Sequence, residues 1–398
     1  MESQKRNVGL LACCQALLFT NNVTLAAVGP LAGYALAADK RFATLPTAAY
    51  VVGGLVSTLP ASMWMRRVGR RNGFLTGALF ALAGSTVAAT AMLSANLALL
   101  CLGTLLFGVY NAFSGYYRFA AADVAAPDFR ARAISYVLAG GLVGGIVGPE
   151  ASKFTRDWVA PPFTATYASL FVFALLAMTI IARLKIPPGH DSVSHEPARP
   201  LGEIVSQPVF MVAAAVAALA FGSMNLLMTA TPLAMGFCGL PYDSAATVMS
   251  SHVIAMFAPS FFTGSLIRRF GVLRVMLAGV GSMLGCVAVA LSGQLFAHFW
   301  LALVMLGLGW NFMYIGGTTL LTEAYRPAEK AKAQGVNEFT VFSVQAISAF
   351  SSGVLVNTRG WHTLQLVALP MILTAGAAIL WLWWGPRISR PKTASGAG

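Results

Sequence analysis

Charge is what this chain has least of. Only 10% of its 398 residues are Asp, Glu, Lys or Arg, against about 25% in soluble globular chains. Hydrophobic residues make up 57% and the mean hydropathy is +0.72. That deficit excludes an ordinary soluble enzyme. Acids are scarcest: 13 Asp plus Glu stand against 26 Lys plus Arg, a formal charge of +13. The basic residues fall in short clusters between long apolar runs, which is the pattern of membrane loops and not of a nucleic-acid surface. Paired cysteines are missing too, since Cys13, Cys14, Cys101, Cys238 and Cys286 form no C-x-x-C, and neither a disulfide framework nor a zinc knuckle is indicated. The absence of a G-x-x-x-x-G-K-S/T loop argues against direct ATP coupling. No nucleophile, base and orienter stand out as a trio, so catalysis is not expected. No small-residue cleavage site follows the first apolar run, and that run reads as a retained span.

What remains is apolar length. Twelve runs stand out, at about 8–36, 45–65, 73–93, 97–119, 133–153, 163–184, 208–235, 245–267, 272–292, 298–321, 336–356 and 363–384. Helix is the element such runs must adopt, because backbone in hydrocarbon has to satisfy its own hydrogen bonds. The expected fold class is an all-α membrane protein. A polar, proline-rich stretch, 187–206, divides the chain into six-span units at 1–186 and 207–398. Placing both termini in the cytoplasm puts 21 of the 26 Lys and Arg on that side, the bias that sets orientation.

The halves echo one another. After the second run the chain reads Arg66-Arg67-Val68-Gly69-Arg70-Arg71, and after the eighth Arg268-Arg269-Phe270-Gly271-Val272, with the glycines 202 residues apart. Repeated six-helix units around a midplane cavity are one way transporters are built. On these residues the whole chain resembles the major facilitator superfamily, whose loop signature is G-x-x-x-D-R-x-G-R-R; Arg66 and Arg268 stand where that family usually has Asp. The resemblance implies twelve spans in two six-helix bundles, with Arg67, Gly69, Arg70, Arg269 and Gly271 acting in gating. In the fifth run, Gly140, Gly144 and Gly148 at spacing four let helices approach closely and Pro149 can kink the span. That segment resembles the family's span-five G-x-x-x-G-P element, associated with antiporters.

Two further patterns carry chemistry. Met224 and Met228 lie four apart in the seventh run, and His252 and Met256 four apart in the eighth, so each pair shares a helical face. At ~1.5 Å per residue the pairs fall at matching depth, and Met249 extends the second face by a turn. Thioether and imidazole are soft, neutral ligands suited to copper, whereas calcium and magnesium want carboxylates. The M-x-x-x-M and H-x-x-x-M pairs resemble the CcoA-type copper importers. That likeness implies secondary-active uptake of a copper ion or small copper complex across the bacterial cytoplasmic membrane, supplying cbb3-type oxidase maturation. Copper would be cargo held by Met224, Met228, His252 and Met256, with no resident cofactor, no nucleic-acid partner and a monomer in the lipid bilayer. The same branch is similar to riboflavin importers.

The alternative is an organic solute. Gln15, Asn21, Asn22, Tyr110, Asn111, Tyr116, Tyr117, Trp310, Asn311, Tyr314, Asn337, Glu338 and Gln345 supply aromatic faces and amides inside spans, which an isoalloxazine ring needs. Trp310 and Asn311 lead that set. Glu338 and Glu150 are candidate proton carriers, because a carboxylate within the membrane is costly when charged.

Overall fold

The computed structural model describes residues 2–126, 130–186 and 199–385. Most of the expected linker, 187–198, and the last thirteen residues lie outside them. Fourteen α-helices follow in order: α1 (Glu2–Leu36), α2 (Leu45–Val68), α3 (Arg70–Leu93), α4 (Leu97–Ser114), α5 (Tyr117–Val124), α6 (Arg130–Thr155), α7 (Thr164–Ala182), α8 (Leu201–Val205), α9 (Pro208–Phe237), α10 (Tyr242–Phe257), α11 (Ser260–Phe270), α12 (Val272–Ser292), α13 (Phe296–Leu321) and α14 (Lys330–Trp384). Among the described residues there is no strand. Nine helical stretches there are long and apolar enough to cross a membrane, and α10 with α11, bent by 42° at their junction, makes a tenth. The chain is therefore an all-α, multi-pass membrane protein.

Local chemistry explains the boundaries. Asn96 caps α4 by accepting from the Leu99 amide at 3.0 Å, and Pro208 opens α9, where its missing N–H costs nothing. Two expected runs are interrupted. The fourth breaks at Gly115 and Tyr116, between α4 and α5, and the eighth at Ala258 and Pro259, where proline cannot donate to the preceding turn. The last two runs form one long helix, α14, with Gly360 at φ +78° as its break. Gly69 at φ +82° and Gly271 at φ +88° take the same turn at equivalent places, a conformation that only glycine adopts cheaply.

Buried apolar side chains gather into two large clusters, one drawn mainly from residues before 186 and the other mainly from residues after 203. A Cβ on Gly140, Gly144 or Gly148 would strike the carbonyl oxygens of Ala12, Ala16 and Thr20, so the spacing-four glycines seat α6 directly on the α1 backbone. At the helix ends, Arg70 pairs with Asp123 at 2.7 Å. Arg199 forks onto both carboxylate oxygens of Glu329 at 2.7 Å each, tying the segment before α8 to the turn before α14. Those bonds hold the Glu329 carboxyl down at about 2.

Candidate functional site

A central cavity of about 340 Å³ is lined from both parts of the chain. One wall comes from α1, α2, α4 and α5 and carries Gln15, Asn22, Thr47, Tyr50, Asn111 and Arg118. The facing wall comes from α9, α10, α13 and α14 and carries Phe221, Trp310, Tyr314 and Phe257 with Met224, Met228, Met249 and Met256, and further on Glu338 and Gln345.

The second wall is an aromatic assembly. Trp310 and Tyr314, one helical turn apart on α13, stack at 4.9 Å with 15° between their planes. Phe221 meets both edge-on, at 5.0 Å and 4.9 Å, while Phe257 sets its ring 6.0 Å from Trp310. Mutual edge and face contacts of this kind fix ring orientation. The first wall sets amides and hydroxyls among apolar side chains: the Asn22 amide donates to the Asn111 Oδ1 at 2.9 Å. Five buried cavity-lining atoms, Asn22 Oδ1, Thr47 Oγ1, Arg118 Nε, Trp310 Nε1 and Gln345 Oε1, have no hydrogen-bond partner. Buried polar groups are nearly always paired, so these are the atoms through which the cavity can hold a polar ligand.

At the end near the α1–α2 loop the two walls are joined. Thr44 Oγ1 donates to the Phe350 carbonyl at 3.3 Å and accepts from the Gly353 amide at 3.0 Å. The Ser152 hydroxyl lies 2.6 Å from that of Tyr242, and Lys153 donates to Thr247 at 3.1 Å. On α6 the Gly145 Cα abuts Val253, which leaves no room for a Cβ.

The expected site residues divide sharply. Trp310, Tyr314, Gln15, Asn22, Asn111, Glu338 and Gln345 line the cavity; Asn21, Tyr110, Tyr116, Tyr117, Asn311 and Asn337 are not among its lining residues. Asn311 instead donates to the Met256 carbonyl and to Ser260, both at 2.7 Å, and accepts from Thr263 at 2.7 Å, clasping α13 to the α10–α11 bend. Glu150 bonds Lys153 at 2.6 Å in the α6 terminal turns. Met224, Met228, Met249 and Met256 all reach the cavity, but His252 does not share their surface. Its Nδ1 lies 2.7 Å from the Leu303 carbonyl, and the ring is fully buried against α13. Gly307 accounts for that orientation, since a side chain there would collide with the His252 carbonyl and α13 could not come so close. Arg118, Tyr50 and Phe221 were not expected. Phe221 could have been found by extending the Met224 and Met228 face back one turn; Arg118 was hidden among the basic residues assigned to the cytoplasmic side.

Residues 11–289 and 238–398 match the Major Facilitator Superfamily, and the chain belongs to it. It is 40% identical over 371 residues to the riboflavin transporter RfnT of Brucella anthropi, covering 92% of this chain and 93% of that one. It is 27% identical over 375 residues to YddS of Bacillus subtilis, an uncharacterized transporter of the same type, covering 89% and 85%. In fold it is similar to a mutant of the nucleoside transporter NupG, with a TM-score of 0.72 at 14% identity over 96% of this chain and all of that one. The protein is thus a multi-pass transporter of the bacterial cytoplasmic membrane, not an enzyme. These findings overturn the copper expectation. A well-covered relative carries riboflavin in its name, and among the described residues no three of His, Cys, Asp and Glu come together to hold a metal. The likeness to copper importers, the copper cargo and the link to oxidase maturation are therefore withdrawn. The physical reason is the cavity's make-up: thioethers among aromatic rings, with the one imidazole of the motif turned away.

Proposed function

We propose that the protein carries riboflavin, or a closely related planar heteroaromatic solute, across the membrane by alternating access. The carrying observation is the stacked Trp310 and Tyr314 pair, framed by Phe221 and facing the Asn22–Asn111 amide pair across one cavity. A fused heteroaromatic ring needs a flat apolar face to lie on and edge-on donors and acceptors to orient it. The relationship to RfnT supports the same class of cargo.

In this reading two six-span bundles, 1–186 and 207–398, rock about the cavity, joined through 187–206. Ten spans follow from length and apolarity; α6 and the arm of α14 beyond Gly360 supply the other two. With both termini in the cytoplasm, the Thr44–Gly353 and Ser152–Tyr242 contacts close the outer end. Gly69 and Gly271, with Arg67, Arg70 and Arg269 beside them, form the turns about which the inner end moves. Glu338, on the cavity wall, is the proton carrier.

The test is uptake of radiolabelled riboflavin by proteoliposomes, with and without an inward proton gradient. Saturable uptake competed by unlabelled lumiflavin is expected, and faster with the gradient. Reconstituted protein that moves no flavin in either direction would overturn this reading.

A further inference from the structure

Arg118 is a cation in a largely apolar chamber and has no salt bridge among the described residues. It stands at the second position of the short helix α5, just past the interruption at Gly115 and Tyr116 that separates it from α4. Among the cavity's lining residues it is the one cation and Glu338 the one acid, and they come from opposite walls. None of the ion pairs among the described residues includes Arg118. Its Cζ lies 4.9 Å over the Phe119 ring, and its buried Nε has no hydrogen-bond partner. The guanidinium also acts on the Tyr314 hydroxyl and the Glu338 carboxylate at the rim of the aromatic stack. Trp310, 4% exposed, holds a second unpartnered donor, Nε1, at the same stack.

Mere positive-inside charge would project into the aqueous loop, as Arg66 and Arg67 do near the end of α2. A cation kept inside has to be paid for by charge or hydrogen bonds. Glu338 supplies compensating charge from the other wall and the Tyr314 hydroxyl engages one guanidinium N–H, which leaves the unpartnered Nε–H edge of the fork to bond a neutral ligand. A planar fork with parallel N–H donors matches two adjacent acceptors on a heterocycle edge, the geometry by which arginine reads a ring nitrogen beside a carbonyl in nucleic-acid bases.

We propose that Arg118 is the specificity-determining residue of the cavity: with the ring lying on Trp310 and Tyr314, it donates in bidentate fashion to a ring nitrogen and the carbonyl oxygen next to it. The transporter thereby selects heteroaromatics with that paired-acceptor edge over rings of equal size and shape that lack it. This inference rests on the flavin reading and names the part of the ring that is recognised.

Calorimetric titration of detergent-purified protein with riboflavin and with 5-deazariboflavin tests it, because the analogue exchanges the ring nitrogen for C–H and keeps the carbonyl, the shape and the side chain. Wild type should bind riboflavin about tenfold tighter than the analogue, the discrimination of one bidentate pair. R118Q should weaken riboflavin by a similar factor and bring the ratio near one, while R118K, a point charge without the fork, should fall between. Wild type that binds both ligands equally overturns the proposal with no variant needed, and so does R118Q that keeps the wild-type ratio. Wild type that binds neither ligand sinks the flavin reading itself, and this inference with it. Should R118Q fail to fold, R118K and the wild-type ratio carry the decision.

Discussion

The two walls of the central cavity differ in where their rings and their amides lie. The wall from α9, α10, α13 and α14 presents stacked rings and thioethers together with Asn225, Glu338 and Gln345; the wall from α1, α2, α4 and α5 presents amides, hydroxyls and one guanidinium among apolar side chains such as Leu18, Phe19 and Val51. In the proposed two-bundle arrangement the halves could have shared a site evenly. That difference suits the proposed cargo, which has a flat apolar face for one wall and a polar edge for the other. Under the proposed alternating access, separating the walls would break stacking on one side and hydrogen bonds on the other, so that neither wall alone would hold the solute.

The comparison is broken most severely by removing the stack. Trp310→Ala deletes the ring that contacts Tyr314, Phe221 and Phe257 together. Stacking of a planar base on an aromatic side chain is worth ~1–3 kcal/mol, so riboflavin affinity should fall by a factor of about 5 to 140. Trp310→Phe should recover most of it. Titration of both variants checks this, and an unchanged dissociation constant in Trp310→Ala would remove the aromatic wall from the site.

The polar wall is sharpened by a double substitution. Asn111→Leu strands the Asn22 Nδ2 that now donates at 2.9 Å, and an unsatisfied buried donor costs ~1–3 kcal/mol. Both thermal stability and riboflavin uptake should drop. Adding Asn22→Leu removes the stranded donor, so the melting temperature should recover while the KM for uptake stays raised by about tenfold. Recovery of both together would make the amide pair a helix fastener and not part of the cargo site.

The fold was largely legible because hydrocarbon leaves the chain few choices: long apolar runs must be helices, and the glycines of the repeated loops mark equivalent turns. The breaks at Gly115 and Pro259 were less visible, since hydropathy continues across them. At the site, residue type was legible and direction was not. Asn21 and Asn22 are neighbours of identical chemistry, yet one lines the cavity and the other is fully buried away from it. On α10, Met249, Val253 and Met256 face the cavity while His252, about 100° from Val253 around the helix, turns to Leu303. Spacing by four put His252 and Met256 on one helical face, but α13, which Gly307 lets pack directly on the His252 carbonyl, takes the imidazole. Arg118 was lost for the opposite reason: counting charges by side treats every basic residue near a helix end as a loop residue.

The smallest effect is expected where the sequence looked most distinctive. Met224 and Met228 lie on the aromatic wall beside Phe221, so they serve as flexible apolar filler rather than as donors of a sulfur lone pair. Leucine has nearly the same volume, and such exchanges usually cost less than ~1.5 kcal/mol, with any sulfur–ring contact contributing at the lower end of ~0.3–1.5 kcal/mol. The double variant M224L/M228L should therefore bind riboflavin within about threefold of wild type, in contrast to Trp310→Ala. The size of that contrast is the informative quantity. If the leucines cost as much as the lost indole, the thioethers bond the cargo directly and the two walls are not divided by chemistry; if they cost little, the methionines shape the chamber and the rings alone hold the face of the solute.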